Sequence, residues 1–267
     1  MKILGRLPKR LIALLWSFPG YLVASIRCMV LFREPIGLLC CYIRRQPPKH
    51  NQVHLRNGIV LHLSRDHSDI VTVFLIFCRR DYGYIKAGTS VVDVGANIGV
   101  YSIYAAMNGA STVHAYEPCE ESFDLLRRNI ACNGFAQIVT PHKAVVVGKP
   151  SSPVMFPRTS SVFNRIEFGG RESSSNSSLV SAVPFSEVTK SLRVSSLVKM
   201  DCEGGEYDII LNSESSAFEC VDEVRLEWHL GPKDQLFLAL EKHGFHVTFM
   251  GSGRDSDVAW CSRGKRA

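Results

Sequence analysis

Residues 89–118 read TSVVDVGANIGVYSIYAAMNGASTVHAYEP. An apolar run, Val91-Val92, stops at Asp93, and the turn Gly95-Ala96-Asn97-Ile98-Gly99 follows. Apolar residues then recur at helical spacing at Val100, Ile103, Tyr104 and Met107. Asn108-Gly109 ends that segment, because both residues accept the left-handed backbone of a helix stop. A second apolar-rich stretch, Val113 to Tyr116, runs into Glu117. Strand, glycine turn, helix, strand and acid make one βαβ unit with a nucleotide-sized site at its switch point. Gly95 and Gly99 lack a Cβ and let backbone and ligand approach closely. At the end of the second strand, the Glu117 carboxylate is placed to accept both ribose hydroxyls. A pyrophosphate site favours Gly-x-Gly-x-x-Gly. Here Asn97 takes the middle position, which suits a ligand without phosphates.

A second constellation lies about a hundred residues on. Leu197-Val198-Lys199-Met200 reads as a buried strand ending in Asp201, followed by Cys202-Glu203-Gly204-Gly205-Glu206. Three carboxylates on one glycine-containing turn are costly to assemble unless they meet something cationic or polar. As the fourth strand of the sheet, beside the first, this segment opens onto the same crevice. Glu223 to His229 alternates as a fifth strand. Glu227 and His229 fall on one face and Trp228 on the other.

The blocks DVGANIGVYS, HAYEP and VKMDCEGGEYDII, with QVHLRNGIVLHL upstream and RLEWH downstream, resemble the FkbM family of methyltransferases from about Pro47 to Met250. The resemblance implies a Rossmann-like class I α/β fold that uses S-adenosylmethionine to methylate a hydroxyl of a sugar, glycolipid or secondary metabolite. The expected architecture is a seven-stranded, mostly parallel sheet with an antiparallel edge, Phe245–Met250 against Val258–Cys261, plus an N-terminal helical extension. Asp93, Gly95, Asn97, Gly99 and Glu117 would hold the cofactor. A hydroxyl acceptor needs a base for its proton, and Asp201, Glu203 and His229 are the candidates, with no choice made among them. His229 has the ordinary pKa nearest neutrality, and Asp201 the better inferred position. Two alternatives stay open: an NAD-dependent Rossmann oxidoreductase, and a non-catalytic module at a membrane surface.

The 267 residues suit one α/β domain with an extension, divided here into an N-terminal segment 1–46 and a methyltransferase domain 47–267. Gln46-Pro47-Pro48 marks the boundary, since prolines break a helix. Beyond it, Asn57-Gly58 between alternating runs is a hairpin turn. Ser68 caps a helix reaching about Cys78, and Tyr82-Gly83-Tyr84 closes it, with Tyr84 a minor candidate for contact with the cofactor. The helix from Cys119 to about Cys132 carries Phe123, a core residue that could also cover a base. Residues 149–178, rich in Ser, Pro and Gly, read as an insertion or lid over the acceptor site.

Charge is uneven. The first fifty residues carry nine basic side chains against Glu34 alone, while the rest of the chain nets −2. No basic face for nucleic acid is indicated in the domain. Nine scattered cysteines without Cys-x-x-Cys point to reduced thiols, a cytoplasmic setting and no metal, the pair His243/His246 included. Leu11 to Ile26 is apolar behind Lys9-Arg10, short of a membrane span and interrupted by Pro19-Gly20. Helices packed on the domain are the favoured reading of this segment. Contact with a membrane surface and a cleaved signal are the alternatives.

Overall fold

A computed structural model describes residues 9–158, 177–192, 195–229, 231–249 and 258–264, with side chains from residue 19 onward except that of Phe249. In chain order the elements are α1 (Lys9–Leu31), α2 (Pro35–Arg44), β1 (Gln52–His54), β2 (Val60–His62), α3 (Ser68–Val73), β3 (Ser90–Val94), α4 (Val100–Met107), β4 (Thr112–Tyr116), α5 (Glu120–Cys132) and β5 (Val139–His142). They continue with β6 (Ala144–Val147), β7 (Val154–Pro157), β8 (Ser177–Pro184), α6 (Phe185–Thr189), β9 (Ser196–Met200), α7 (Gly205–Asn212), β10 (Glu223–Glu227), α8 (Lys233–Lys242), β11 (His246–Phe249) and β12 (Val258–Ser262). α3 runs on into a π-helical segment, Phe74–Arg79.

Seven strands form the main sheet in the order β11-β12-β10-β9-β3-β4-β5. β10, β9, β3, β4 and β5 are parallel, and β12 and β11 close one edge antiparallel. The architecture is the expected class I arrangement, with the order switching between β3 and β9. Alternate residues of these central strands serve opposite faces. Val91 and Leu197 join the core under α4, α5 and the N-terminal elements. Val92, Val94, Val198 and Met200 join the core under α7 and α8. Both strands are buried along their whole length, which is why their sequences are near-continuous apolar runs. A separate three-stranded sheet, β6-β8-β7, packs Val145, Val147, Phe156 and Val180 together.

Two sequence expectations change here. Pro19-Gly20 does not break the N-terminal helix, because α1 passes through Pro19 without interruption. A proline inside a helix costs about 3 kcal/mol. The packing of Ala24 and Cys28 against the domain opposes that cost. The segment 149–178 is not loop throughout, since β7 pairs with β8 from Val154↔Val180 to Pro157↔Ser177. The centre of the expected lid, 159–176, lies outside the described residues.

The N-terminal helices are tied to the domain by specific contacts. Arg27 Nη1 donates to the Cys78 carbonyl at 3.0 Å, serving the π-helical segment where backbone pairing is irregular. The Tyr42 ring stacks on Phe74 at 4.1 Å. The hairpin β1–β2 is held by Asn129 of α5, which is fully buried. Its Oδ1 accepts from His62 N at 2.7 Å, and its Nδ2 donates to Ile98 O at 2.8 Å. One amide side chain thus fixes both the hairpin and the glycine turn after β3.

Candidate active site

The crevice lies at the carboxyl ends of β3, β4 and β9, as the topology rule for open α/β sheets requires. Its walls include Gly95, Asn97, Glu117, Asp201 and Glu203, with Val145, Val146 and Phe156 supplying an apolar side. Gly95 has φ +72°, and a Cβ there would lie 1.9 Å from the Asp201 carbonyl oxygen. Only glycine lets the two loops meet this closely. Asn97 also takes a positive φ, 49°, which asparagine tolerates better than most residues.

Glu117 is buried at the crevice wall. Its Oε2 accepts from Asn97 N and its Oε1 from Cys119 N, both at 2.8 Å. Burial pushes its carboxyl up to about 7, against the pull of those two N–H groups. A carboxylate has about four lone-pair directions, so each oxygen keeps capacity for a ligand hydroxyl. Asp93 and Gly99, also expected at the cofactor, lie deeper. Asp93 is fully buried, pairing with Lys199 Nζ at 3.1 Å and accepting from Ser102 Oγ at 2.7 Å. Gly99 opens α4, and a Cβ there would meet Leu126 Cδ1 at 2.5 Å, so it serves the packing of α4 against α5. Tyr84 is exposed, with the Arg80 guanidinium over its ring, and Phe123 packs into the core. The aromatic side chains at the crevice are Tyr116 and Phe156 instead.

The loop after β9 is shaped by its last acid. Glu206 is fully buried, its Oε1 accepting from Cys202 N at 2.6 Å and its Oε2 from Gly204 N at 2.8 Å. Glu203 occupies a positive φ of 53° in that turn. His229 sits among four carboxylates: Glu206 at 3.5 Å, Glu203 at 3.7 Å, Asp201 at 3.8 Å and Glu227 at 3.9 Å. Burial alone would lower its pKa, but Glu206, Asp201 and Glu203 outweigh it and raise the imidazole to about 9. Its stabilising charge is complete below the ordinary value of about 6.5 and disappears as pH rises through about 9. Thermal melts between pH 7 and pH 10 should therefore show an alkaline loss of stability that His229→Gln lacks. Equal pH dependence in both proteins would contradict this placement of charge.

Two participants escaped the sequence reading. Lys199, a cation in an otherwise apolar strand, is 3 % exposed and lies in register with Asp93. It also donates to Gly95 O at 2.8 Å and lies 3.8 Å from Asp201 Oδ2, so it clamps the glycine turn to the acidic loop. Burial opposes its charge, and Asp93 and Asp201 hold it protonated, above the usual lysine range. An ionisable residue between Val198 and Met200 was the available signal. Tyr82 places its hydroxyl 3.0 Å from Glu227 Oε2 and 3.2 Å from Asp201 Oδ2. One phenol proton serves two carboxylates, and the set is complete when Glu227 carries a proton of its own. Burial, and then Asp201, push the Glu227 carboxyl up to about 7.

Among the described residues, Asp201, Glu227 and His229 each present a metal-ligating atom, all within 4.8 Å of one another. In the protein alone their negative charge faces His229, raised to about 9, and Lys199, 3.8 Å from Asp201. His243 packs on Phe218 away from this cluster.

The crevice opens at the β3/β9 switch of a class I fold, with Glu117 and the Gly95 turn on its wall, and the fold is that of S-adenosylmethionine-dependent methyltransferases. Residues 93–262, more than half of the chain, match the Methyltransferase FkbM domain, and the chain belongs to that family. The methyltransferase sdnD of Sordaria araneosa is 24 % identical over 204 residues, covering 63 % of this chain and 78 % of that protein. A ribosomal protein L11 methyltransferase of Syntrophomonas wolfei is 39 % identical over 66 residues, 24 % of this chain and 21 % of that relative's length. Among solved structures, M. capricolum TrmK with S-adenosylhomocysteine superposes with a TM-score of 0.38 at 12 % identity, covering 67 % of this chain and 62 % of that one. Family membership sets the oxidoreductase alternative aside.

Proposed function

We propose that this chain is an O-methyltransferase acting on a hydroxyl of a sugar, glycolipid or secondary metabolite. The observation that carries the reading is the junction at Asp201, which borders the crevice on one side and the Tyr82–Glu227–His229 cluster on the other. The residues present suit the cofactor. Glu117 offers its remaining lone pairs to ribose hydroxyls, Gly95 and Asn97 leave the floor open, and Asp201 and Glu203 supply negative charge for a cationic donor. When bound, S-adenosylmethionine supplies a methyl group on a positively charged sulfur.

The chain's own work is positioning and proton transfer. An alcohol is a weak nucleophile while protonated, so a base must take its proton as attack proceeds. Of the side chains around Asp201, His229 is raised to about 9 by Glu206, Asp201 and Glu203, which disfavours it as that base near neutral pH. Glu227 is raised to about 7 and is half ionised near neutral pH, accepting a hydrogen bond from the Tyr82 hydroxyl. Glu227 therefore accepts the hydroxyl proton. Asp201 and Glu203 stabilise the imidazolium beside it and border the cofactor. A hydroxyl acceptor rather than nucleic acid is favoured by the net charge of −2 beyond residue 50.

Titration calorimetry provides the test of the cofactor half. Micromolar binding of S-adenosylmethionine and S-adenosylhomocysteine is expected, weakened by at least about tenfold in Glu117→Ala, the loss of a ribose-binding pair. Unchanged affinity in that variant would overturn the placement, and an acceptor screen over hydroxylated compounds then tests the rest.

A further inference from the structure

The first two helices face outward with the wrong chemistry for a water-exposed surface. On α1, Leu22, Val23, Ile26, Met29 and Val30 fall within an arc of about 120°. All five are exposed, as are Ile36 and Ile43 about two turns apart on α2, with exposures from 44 % to 76 %. The opposite side of α1 is the packed side and carries small residues, Ala24 and Cys28. A surface helix normally places its apolar stripe inward and polar residues outward. Here the larger apolar residues point away from the core. Of the large hydrophobic residues exposed in the described structure, most are gathered on these two helices.

The exposed charge along these two helices is mostly basic, Glu34 at the head of α2 excepted. Arg33, Arg44, Arg45 and Lys49 are exposed beside the apolar face, and Arg56 reaches the Met29 carbonyl at 3.5 Å. Upstream, the sequence adds Lys2, Arg6, Lys9 and Arg10, and Glu34 is the sole acid in the first fifty residues. A contiguous apolar patch marks an interaction site. A basic rim selects an anionic partner, and an apolar face inside a basic rim matches the boundary between acyl chains and acidic headgroups. A second copy of the same chain would bring like charges together around the contact. No helix among the described residues is long and apolar enough to cross a membrane, so the fitting geometry is a helix pair lying in the interface.

We propose that the outward face of α1 and α2 docks this protein on an anionic lipid bilayer. The proposal stands on this surface alone and is independent of the acceptor assigned above. It is tested by co-sedimentation of the full chain with vesicles of phosphatidylcholine alone and with about 30 % phosphatidylserine, the acidic lipid that draws basic segments. At least tenfold stronger partition onto the acidic vesicles is expected. That partition should fall about tenfold when salt is raised from roughly 0.05 M to 0.5 M. Ile26→Glu/Val30→Glu should abolish it through the apolar face, and Arg44→Glu/Lys49→Glu through the rim, with melting temperature and S-adenosylmethionine affinity unchanged. Equal partition onto neutral vesicles, or none onto either, would overturn the proposal. So would a wild-type dimer that Ile26→Glu/Val30→Glu converts to monomer, since the face would then belong to a second copy. The salt series on the wild type decides the matter even if a variant fails to fold.

Discussion

Replacing Lys199 with alanine is expected to cost about 3–5 kcal/mol of stability, the range for removing one partner of a buried ion pair. In a chain of this size that corresponds to a fall of roughly 10 °C in melting temperature. The reason is local. Lys199 Nζ pairs with the fully buried Asp93, and its removal leaves a carboxylate in the sheet with, among the described residues, the Ser102 hydroxyl as its hydrogen-bond partner. The damage also reaches the crevice, because the same ammonium holds the Gly95 carbonyl. The double variant Asp93→Asn/Lys199→Met should recover much of the loss, since a neutral pair needs no counter-charge. Urea unfolding of the three proteins reads this directly. A cost below about 1 kcal/mol for the single variant, the value of an exposed pair, would show that water reaches the site.

Glu227→Gln is expected to lower kcat by about 10²- to 10⁴-fold, the usual contribution of a positioned base, while leaving S-adenosylmethionine affinity within a factor of about two, since the side chain lies outside the cofactor crevice. The pH profile separates this from a structural effect. With a carboxyl raised to about 7, Glu227 is protonated and idle below that pH and ionised above it. Activity of the wild type should therefore rise through about pH 7, and the glutamine variant should lack that limb. A variant that keeps the limb would return the role to another group in the cluster. Tyr82→Phe should move the limb without removing it, because the phenol only steadies the two carboxylates.

The main sheet was legible because its central strands are buried on both faces and so read as unbroken apolar runs. The glycine turn was legible because Gly95 meets the Asp201 backbone at a distance no side chain permits. What the sequence hid depends on partners far apart in the chain. Asp93 looks like a ligand-binding acid when only its motif is in view. It becomes an interior ion pair once β9 is laid beside β3 and Lys199 falls opposite. Tyr82 lies 119 residues from Asp201 and 145 from Glu227, so no local pattern announces it. His229 has the ordinary pKa nearest neutrality, and only the fold brings Glu206, Asp201 and Glu203 around it to raise it to about 9. Pro19 shows the opposite limit: a helix breaker by rule, it is carried through by packing that a local reading does not include.

The neighbouring position of β3 and β9 has a consequence for synthesis on the ribosome. The turn at Gly95 and the loop at Asp201 touch, yet more than a hundred residues separate them in the chain. The central pairing of the sheet must wait for that whole length, and non-local pairing of this kind is slow. A nascent chain that has emerged only as far as β8 has Asp93 without Lys199, and β3 with one of its two edges unpaired. Such an intermediate is open to association with other chains. The vulnerable interval in this protein's life therefore falls during translation, between the appearance of residue 94 and that of residue 200.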